Sequence, residues 1–120
     1  MKLRIKSDSL RYRLTKTDVA NLLREGYLKE TVNFGDDELV YVLQSTVDKD
    51  LSADFKNNII TIYMPADMIN ELAHTDRVSF ENNGKLHLLI EKDFTCLENV
   101  AEDQSDNYPN PLAERSYEQD

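Results

Sequence analysis

The stretch MKLRIKSDSLRYRLT, residues 1–15, decides the prediction of the fold. Apolar side chains alternate with charged ones on both sides of Ser7-Asp8, and a period of two is typical of half-buried strands. A two-residue turn at Ser7-Asp8 joins these strands into a hairpin, with Ile5 opposite Leu10 on an apolar face. The other face of the predicted hairpin then carries four cations, in the pairs Lys2 with Arg13 and Arg4 with Arg11.

Two helices are predicted further along the chain. The first begins at a cap formed by Thr15 or Thr17 and ends at Gly26. The second covers 65–74, where Pro65 suits the first helical position. Strand patterns flank the helices, at 28–34, 39–43, 51–55, 60–64, 78–80 and 86–94.

The element order ββαββ therefore occurs twice. At a separation of 49 residues, 14–23 shares three identical residues with 63–72. Either an internal duplication or the chance recurrence of a common strand–helix–strand unit explains this similarity. In the last hairpin we expect a turn at Asn82-Asn83-Gly84, with Glu81 opposite Lys85 and Phe80 opposite Leu86. The predicted fold is α+β and mostly antiparallel, with about eight strands and two helices in a curved sheet or a partly closed small barrel.

Length and composition restrict the class of protein. A chain of 120 residues fits one domain. Its apolar runs are far shorter than the ~20 residues needed to span a bilayer, and the N-terminal residues lack the apolar core of a signal peptide. We therefore expect a cytoplasmic protein without membrane contact.

Charge is distributed unevenly along the chain, whose formal net charge is -9. Residues 1–29 contain eight cations and three anions, whereas 30–120 contains six cations and twenty anions. The overall acidity argues against sequence-independent nucleic-acid binding, which requires cations that neutralise phosphates. Residues 1–96 are predicted to form the α+β domain, and 97–120 an acidic, extended or partly disordered C-terminal arm. The arm residues singled out are Glu98, Glu102, Asp103, Asp106 and the anchor Tyr108.

The crowded cations of the first hairpin are the sharpest functional feature. Like charges opposite each other across strands are destabilising, so a compensating group is expected. Solvent, salt, nearby carboxylates, the C-terminal arm of the same or a second chain, and an external anion all remain open. The main hypothesis is a non-catalytic interaction module whose contact surfaces are the acidic C-terminal arm and the basic hairpin face with Lys2, Arg4, Arg11 and Arg13. The contacts form within a chain, between copies or with a protein partner. The alternative is a small-anion-binding protein or an enzyme whose pocket contains Arg4, Arg11, Arg13 and Glu30.

Catalytic and metal motifs are not found in the sequence. Cys96 could act as a nucleophile only with a nearby base, and the sequence does not bring it together with His74 or His87. The carboxylates after Cys96 lack the glycine and closing glutamate of a calcium loop. No catalytic residue, metal ligand or cofactor is therefore predicted.

Three stretches resemble a family of small bacterial proteins whose domain has no known function. They are MKLRIKSDSLRYRLT at 1–15, LLIEKDFTCL at 88–97 and EDQSDNYPNP at 102–111. The resemblance implies a bacterial, cytoplasmic, single-domain protein. It implies no activity, cofactor or site residue.

Overall fold

The computed structural model of the chain describes residues 1–82, 84–94, 105–109 and 111. Within these residues the chain forms eight strands and two helices, as predicted. In chain order they are β1 (Lys2–Lys6), β2 (Ser9–Leu14), α1 (Lys16–Glu25), β3 (Tyr27–Asn33), β4 (Glu38–Thr46), β5 (Ser52–Lys56), β6 (Ile59–Pro65), α2 (Ala66–His74), β7 (Ser79–Glu81) and β8 (His87–Lys92).

The strands form two separate four-stranded sheets. The first sheet has the order β1-β2-β8-β7, and the second has the order β3-β4-β6-β5. The outer pairings are antiparallel, whereas the central pairs β2–β8 and β4–β6 are parallel. The α+β class is confirmed, but both sheets are mixed and neither is closed, so the predicted partly closed barrel is wrong. The physical reason is that the chain starts a new sheet after α1 and returns to the first only at β7 and β8.

Local predictions near the N-terminus are confirmed. Ile5 pairs with Leu10, and Arg4 pairs with Arg11. Thr15 caps α1, where its hydroxyl accepts from the Asp18 N–H and the Asp18 carboxylate accepts from the Thr15 N–H. Gly26 ends the helix at φ 82°, in the left-handed region where glycine carries no Cβ penalty.

The predicted register of the last hairpin is wrong. Phe80 pairs with Ile90, and Glu81 pairs with Leu89, four residues further along the chain than predicted. Asn82 explains part of this difference, because its side chain accepts from the Leu88 N–H and donates to the Leu86 carbonyl. The parallel pairing of β8 with β2 explains the remainder of the difference, because it sets the position of β8 along the sheet. Since the error is an even number of residues, every side chain keeps its predicted face.

The two halves of the chain share one strand register at a separation of 50 residues. Leu3 pairs with Tyr12 in the first half, as Ala53 pairs with Ile62 in the second. The turn residues Ser7 and Asn57 correspond and have nearly the same φ, 50° and 51°. Structurally equivalent residues of the two halves are therefore 50 residues apart, one more than the separation of 49 in the sequence comparison. An origin by duplication stays a prediction.

The core lies between the two sheets. Its centre consists of fully buried residues, one from each central strand: Tyr12, Leu43, Ile62 and Ile90. The Tyr12 hydroxyl donates to the Ile60 carbonyl over 3.3 Å and so links the first sheet to the second. Burial also raises the pKa of Tyr12 far above its usual range. The phenol therefore stays neutral and remains a hydrogen-bond donor.

Candidate functional site on the first sheet

The cations of the first hairpin lie on the outer face of the first sheet. Residues of β2 alternate, so that Leu10, Tyr12 and Leu14 enter the core while Arg11 and Arg13 point outward. The same alternation exposes the cations of β1 beside them. We call this surface the basic face, and it consists of Lys2, Arg4, Lys6, Arg11 and Arg13.

Strand β8 and the residue after it supply counterions at one end of the basic face. The Arg13 Nε donates to Glu91 Oε1 over 2.7 Å, and the Arg11 Nε lies 3.5 Å from the same oxygen. The Lys2 Nζ lies 3.2 Å from Asp93 Oδ2. Alternation along the chain does not identify these carboxylates, because it does not predict the parallel pairing of β2 with β8. A signal was present, since Glu91 has the same parity as the outward residues of that strand.

The other end of the basic face carries excess positive charge. Among the residues that the structure describes, Arg4 and Lys6 have no carboxylate within 4.0 Å. Arg4, Lys6, Ser9 and Arg11 line a shallow concavity of about 140 Å³. The concavity therefore combines two guanidinium groups, an ammonium group and a hydroxyl group next to the first hairpin turn.

A chain of polar contacts borders this concavity. The Ser9 Oγ lies 3.5 Å from His87 Nδ1, and His87 Nε2 lies 2.6 Å from Glu81 Oε2. A neutral imidazole that donates from Nε2 to Glu81 and accepts from the Ser9 hydroxyl satisfies both contacts. The long Ser9 contact is outside the usual range for an activated nucleophile. The two contacts thus orient the His87 ring between Ser9 and Glu81.

Glu30 lies away from the basic face. It is on the second sheet, where its Oε2 is 3.4 Å from the Met1 ammonium nitrogen. Asp18 Oδ2 is 2.9 Å from the same nitrogen. The pKa of Tyr41 is raised by burial first and then by the charges of Glu30 and Asp18. The structure thus brings Arg4 and Arg11 together, whereas Glu30 belongs to a cluster around the N-terminus.

The described part of the C-terminal arm packs beside α1 and the end of β8. The Asp106 carbonyl accepts from the Lys16 N–H over 3.1 Å, and its carboxylate accepts from the Thr17 N–H over 3.3 Å. A hydrogen bond from Thr15, followed by those from Thr17, lowers the pKa of Asp106. Negative charge at this position is favourable because the N–H groups of the first helical turn point toward it.

Tyr108 anchors the same segment. Its N–H donates to the Asp93 carbonyl over 2.9 Å, and its ring meets Phe94 edge-on at a centroid distance of 6.2 Å. Burial raises the pKa of Tyr108. The remaining arm residues of the prediction, Glu98, Glu102 and Asp103, lie outside the described residues, as does Cys96. Contact between those carboxylates and the basic face therefore stays a prediction.

Lys92 is a buried cation that the sequence analysis missed. Only 7% of the residue is exposed, and its Nζ donates to the Thr75 carbonyl over 3.0 Å. The Tyr108 ring covers this ammonium at 4.8 Å, and burial lowers the pKa of Lys92. Its position could have been found from parity, since Lys92 follows the inward residues Leu88 and Ile90. The lysine joins the docked arm to the end of the first sheet.

Comparison with known proteins identifies a family whose function is unknown. A family model described as a family of unknown function, DUF7009, matches residues 1–112. No curated protein and no solved structure matches the chain. In the part of the chain that the structure describes, neither helix has the length and apolar character required to cross a membrane.

Proposed function

The chain belongs to this family of unknown function, and we propose its function from its own geometry. It is a non-catalytic binding module whose basic face binds an oxyanion group of a partner. The excess of positive charge around the concavity of Arg4, Lys6, Ser9 and Arg11 carries this proposal. Guanidinium groups bind carboxylate and phosphate through paired N–H donors, and Ser9 adds a hydroxyl group.

Comparison of the two halves of the chain supports a binding role for the arginines of the concavity. At the separation of 50 residues, Asp54 occupies the position of Arg4, and Thr61 occupies that of Arg11. The same strand register therefore forms with an acidic and a neutral side chain. Since facing arginines cost stability and Arg4 has no carboxylate within 4.0 Å among the described residues, the strand register alone gives no reason for Arg4.

The size of the concavity defines what it can bind. A volume of about 140 Å³ accommodates one phosphate or carboxylate group but not a whole metabolite. The rest of the partner would extend over the exposed face. We therefore propose an acidic or phosphorylated surface of a partner protein as the main occupant, and a free small anion as the alternative.

Nuclear magnetic resonance titration with inorganic phosphate at low salt tests the proposal. We expect shifts of the backbone amides around Arg4 and Arg11, and a loss of affinity of about tenfold or more in Arg4→Ala/Arg11→Ala. Arg24→Ala is the matched control, because Arg24 is an exposed arginine on α1. Equal effects of the control and the double variant would reject the site, as would amide shifts located elsewhere.

The C-terminal arm is an internal candidate for the same site. Tyr108 holds it next to Asp93, which pairs with Lys2 of the basic face. If Glu98, Glu102 and Asp103 cover the concavity, neutralising them as amides in the full chain should strengthen phosphate binding. Unchanged binding would remove the arm as occupant and leave the external partner. The bacterial and cytoplasmic setting and the division into 1–96 and 97–120 remain predictions.

A further inference from the structure

The two sheets separate at the end that carries the hairpin turns. An apolar cleft of about 540 Å³ opens between them there. Its lining comes from both sheets: Ile5, Leu10 and Leu86 from one side, and Leu39, Ala53, Asp54, Phe55 and Ile60 from the other. Leu10 and Ile60 belong to the core, so the cleft leads directly to the interior.

Several apolar side chains project from the mouth of the cleft. Phe55 is 65% exposed, and Ile5 is 55% exposed. Phe34 is 69% exposed and lines a second depression with Leu39, next to the polar residues Asp37, Glu38 and Asn58. Clustered apolar side chains at the rim of a cleft are typical of binding surfaces, whereas single exposed ones are ordinary.

The cleft repeats the internal symmetry of the chain. Ile5 corresponds to Phe55, and Leu10 corresponds to Ile60, each at 50 residues. The strands β4 and β8 correspond at 47 residues, because Leu43 pairs with Ile62 as Ile90 pairs with Tyr12. This second separation relates Leu39 to Leu86. The apolar lining is therefore built from equivalent positions of the two halves.

Charge differs between the halves at the rim of the cleft. At the separation of 47 residues, Glu38 corresponds to Lys85, and Asp36 and Asp37 precede Glu38. Within the described ranges, neither Glu38 nor Lys85 has an ion-pair partner. One side of the mouth is thus acidic where the equivalent position on the other side is basic.

We propose that this open end is the interface of a twofold-symmetric homodimer, in which the cleft of one chain packs against the cleft of a second copy. In such an interface every contact between two residues occurs twice, once on each side of the twofold axis. The correspondence of the two halves defines a pseudo-twofold axis within the chain. A dimer axis perpendicular to it, and to the line from the acidic 36–38 turn to Lys85, brings that turn of each copy next to Lys85 of the other. The projecting side chains favour this occupant, since a small molecule on the cleft floor would leave Phe34 and most of Phe55 exposed.

Sedimentation velocity of the full chain over a range of concentrations tests the interface. We expect a reversible shift to twice the monomer mass, and Phe55→Glu should weaken dimerisation by about a hundredfold. Val47→Glu is the matched control, because Val47 is a 99% exposed valine outside the cleft. A single-chain mass at every concentration would overturn the proposal. So would a dimer that Phe55→Glu leaves intact, or equal losses in the control.

A charge exchange tests the arrangement of the two copies. Lys85→Glu and Glu38→Lys should each weaken the dimer by about tenfold, and the double variant should restore it. Failure of this rescue would overturn the twofold arrangement. A monomer whose cleft binds an apolar fluorescent dye, with binding lost in Phe55→Glu, would identify a small-molecule site and refute the dimer.

Discussion

Replacement of Glu91 by glutamine should lower the free energy of unfolding and raise the affinity of the basic face for anions. The Glu91 carboxylate contacts Arg13 at 2.7 Å and Arg11 at 3.5 Å. Glutamine has the same shape but no charge. Glu91→Gln therefore leaves the two guanidinium groups without their shared counterion and keeps the packing of β8.

The expected loss of stability follows from the exposure of the three side chains. Exposed ion pairs contribute up to about 1 kcal/mol, whereas a hydrogen bond to a charged group contributes ~1.5–3 kcal/mol. The Glu91 side chain is 22% exposed, and those of Arg11 and Arg13 are 29% and 44% exposed. Solvent screening therefore places the loss near the lower range, at about 1 kcal/mol, or about 4 °C in Tm for a chain of this size.

The same substitution should strengthen anion binding. Arg11 also lines the concavity, and removal of its competing carboxylate frees its N–H donors for phosphate. If phosphate recovers the interaction of about 1 kcal/mol that Arg11 and Arg13 lose with Glu91, the affinity for phosphate increases about fivefold. Thermal denaturation followed by circular dichroism gives the stability, and phosphate titration gives the affinity.

The control is Glu71→Gln, which removes the partner of Arg77 on the exposed surface of α2. It should change the Tm by less than Glu91→Gln and leave phosphate binding unaltered. Weaker phosphate binding in Glu91→Gln would refute the reasoning, because the carboxylate would then support the anion site instead of competing with it.

Three further predictions concern the contact of the C-terminal arm with α1, the end of α1 and the buried core. Asp106 has a lowered folded pKa, so its stabilisation is fully present above the ordinary value of 3.8 and is lost as pH falls through the lowered pKa. Calorimetry should show a lower Tm for Asp106→Asn at neutral pH and no difference at the acid end. Gly26→Ala places a Cβ at φ 82° and should cost about 1 kcal/mol in urea denaturation, which a neutral result would contradict. Leu22→Ala and Leu72→Ala remove equivalent buried side chains, so each should cost ~2–5 kcal/mol; very unequal losses would count against the structural repeat.

Local features of the sequence were sufficient for the first hairpin and α1. The turn at Ser7-Asp8 fixes the hairpin register, and Thr15, Asp18 and Gly26 fix the helix ends. Each of these determinants acts over four residues or fewer. The basic face follows from the same alternation, and so the order of residues in β1 and β2 is enough to predict it.

Pairings between distant strands could not be predicted in this way. Glu91 compensates Arg13 only because β8 lies parallel to β2, 78 residues away along the chain. The last hairpin kept its correct faces, since burial of Phe80 and Ile90 sets them, but its register depends on Asn82 and on β2. Alternation therefore predicted which side of the sheet each residue takes, while tertiary pairing decided its neighbours.

The topology itself explains why one end of the sandwich is open. Helices α1 and α2 follow the ends of β2 and β6, where Leu14 and Met64 are fully buried. At the opposite end, the β1–β2 and β5–β6 hairpins are closed by two-residue turns, which are too short to cover the gap between the sheets. Leu10 and Ile60 accordingly retain 8% exposure there. A chain that functioned as an isolated monomer could place polar residues at this end at no cost to the core. Instead it carries Ile5 and Phe55, and the open end therefore has the composition of a surface that a second molecule covers.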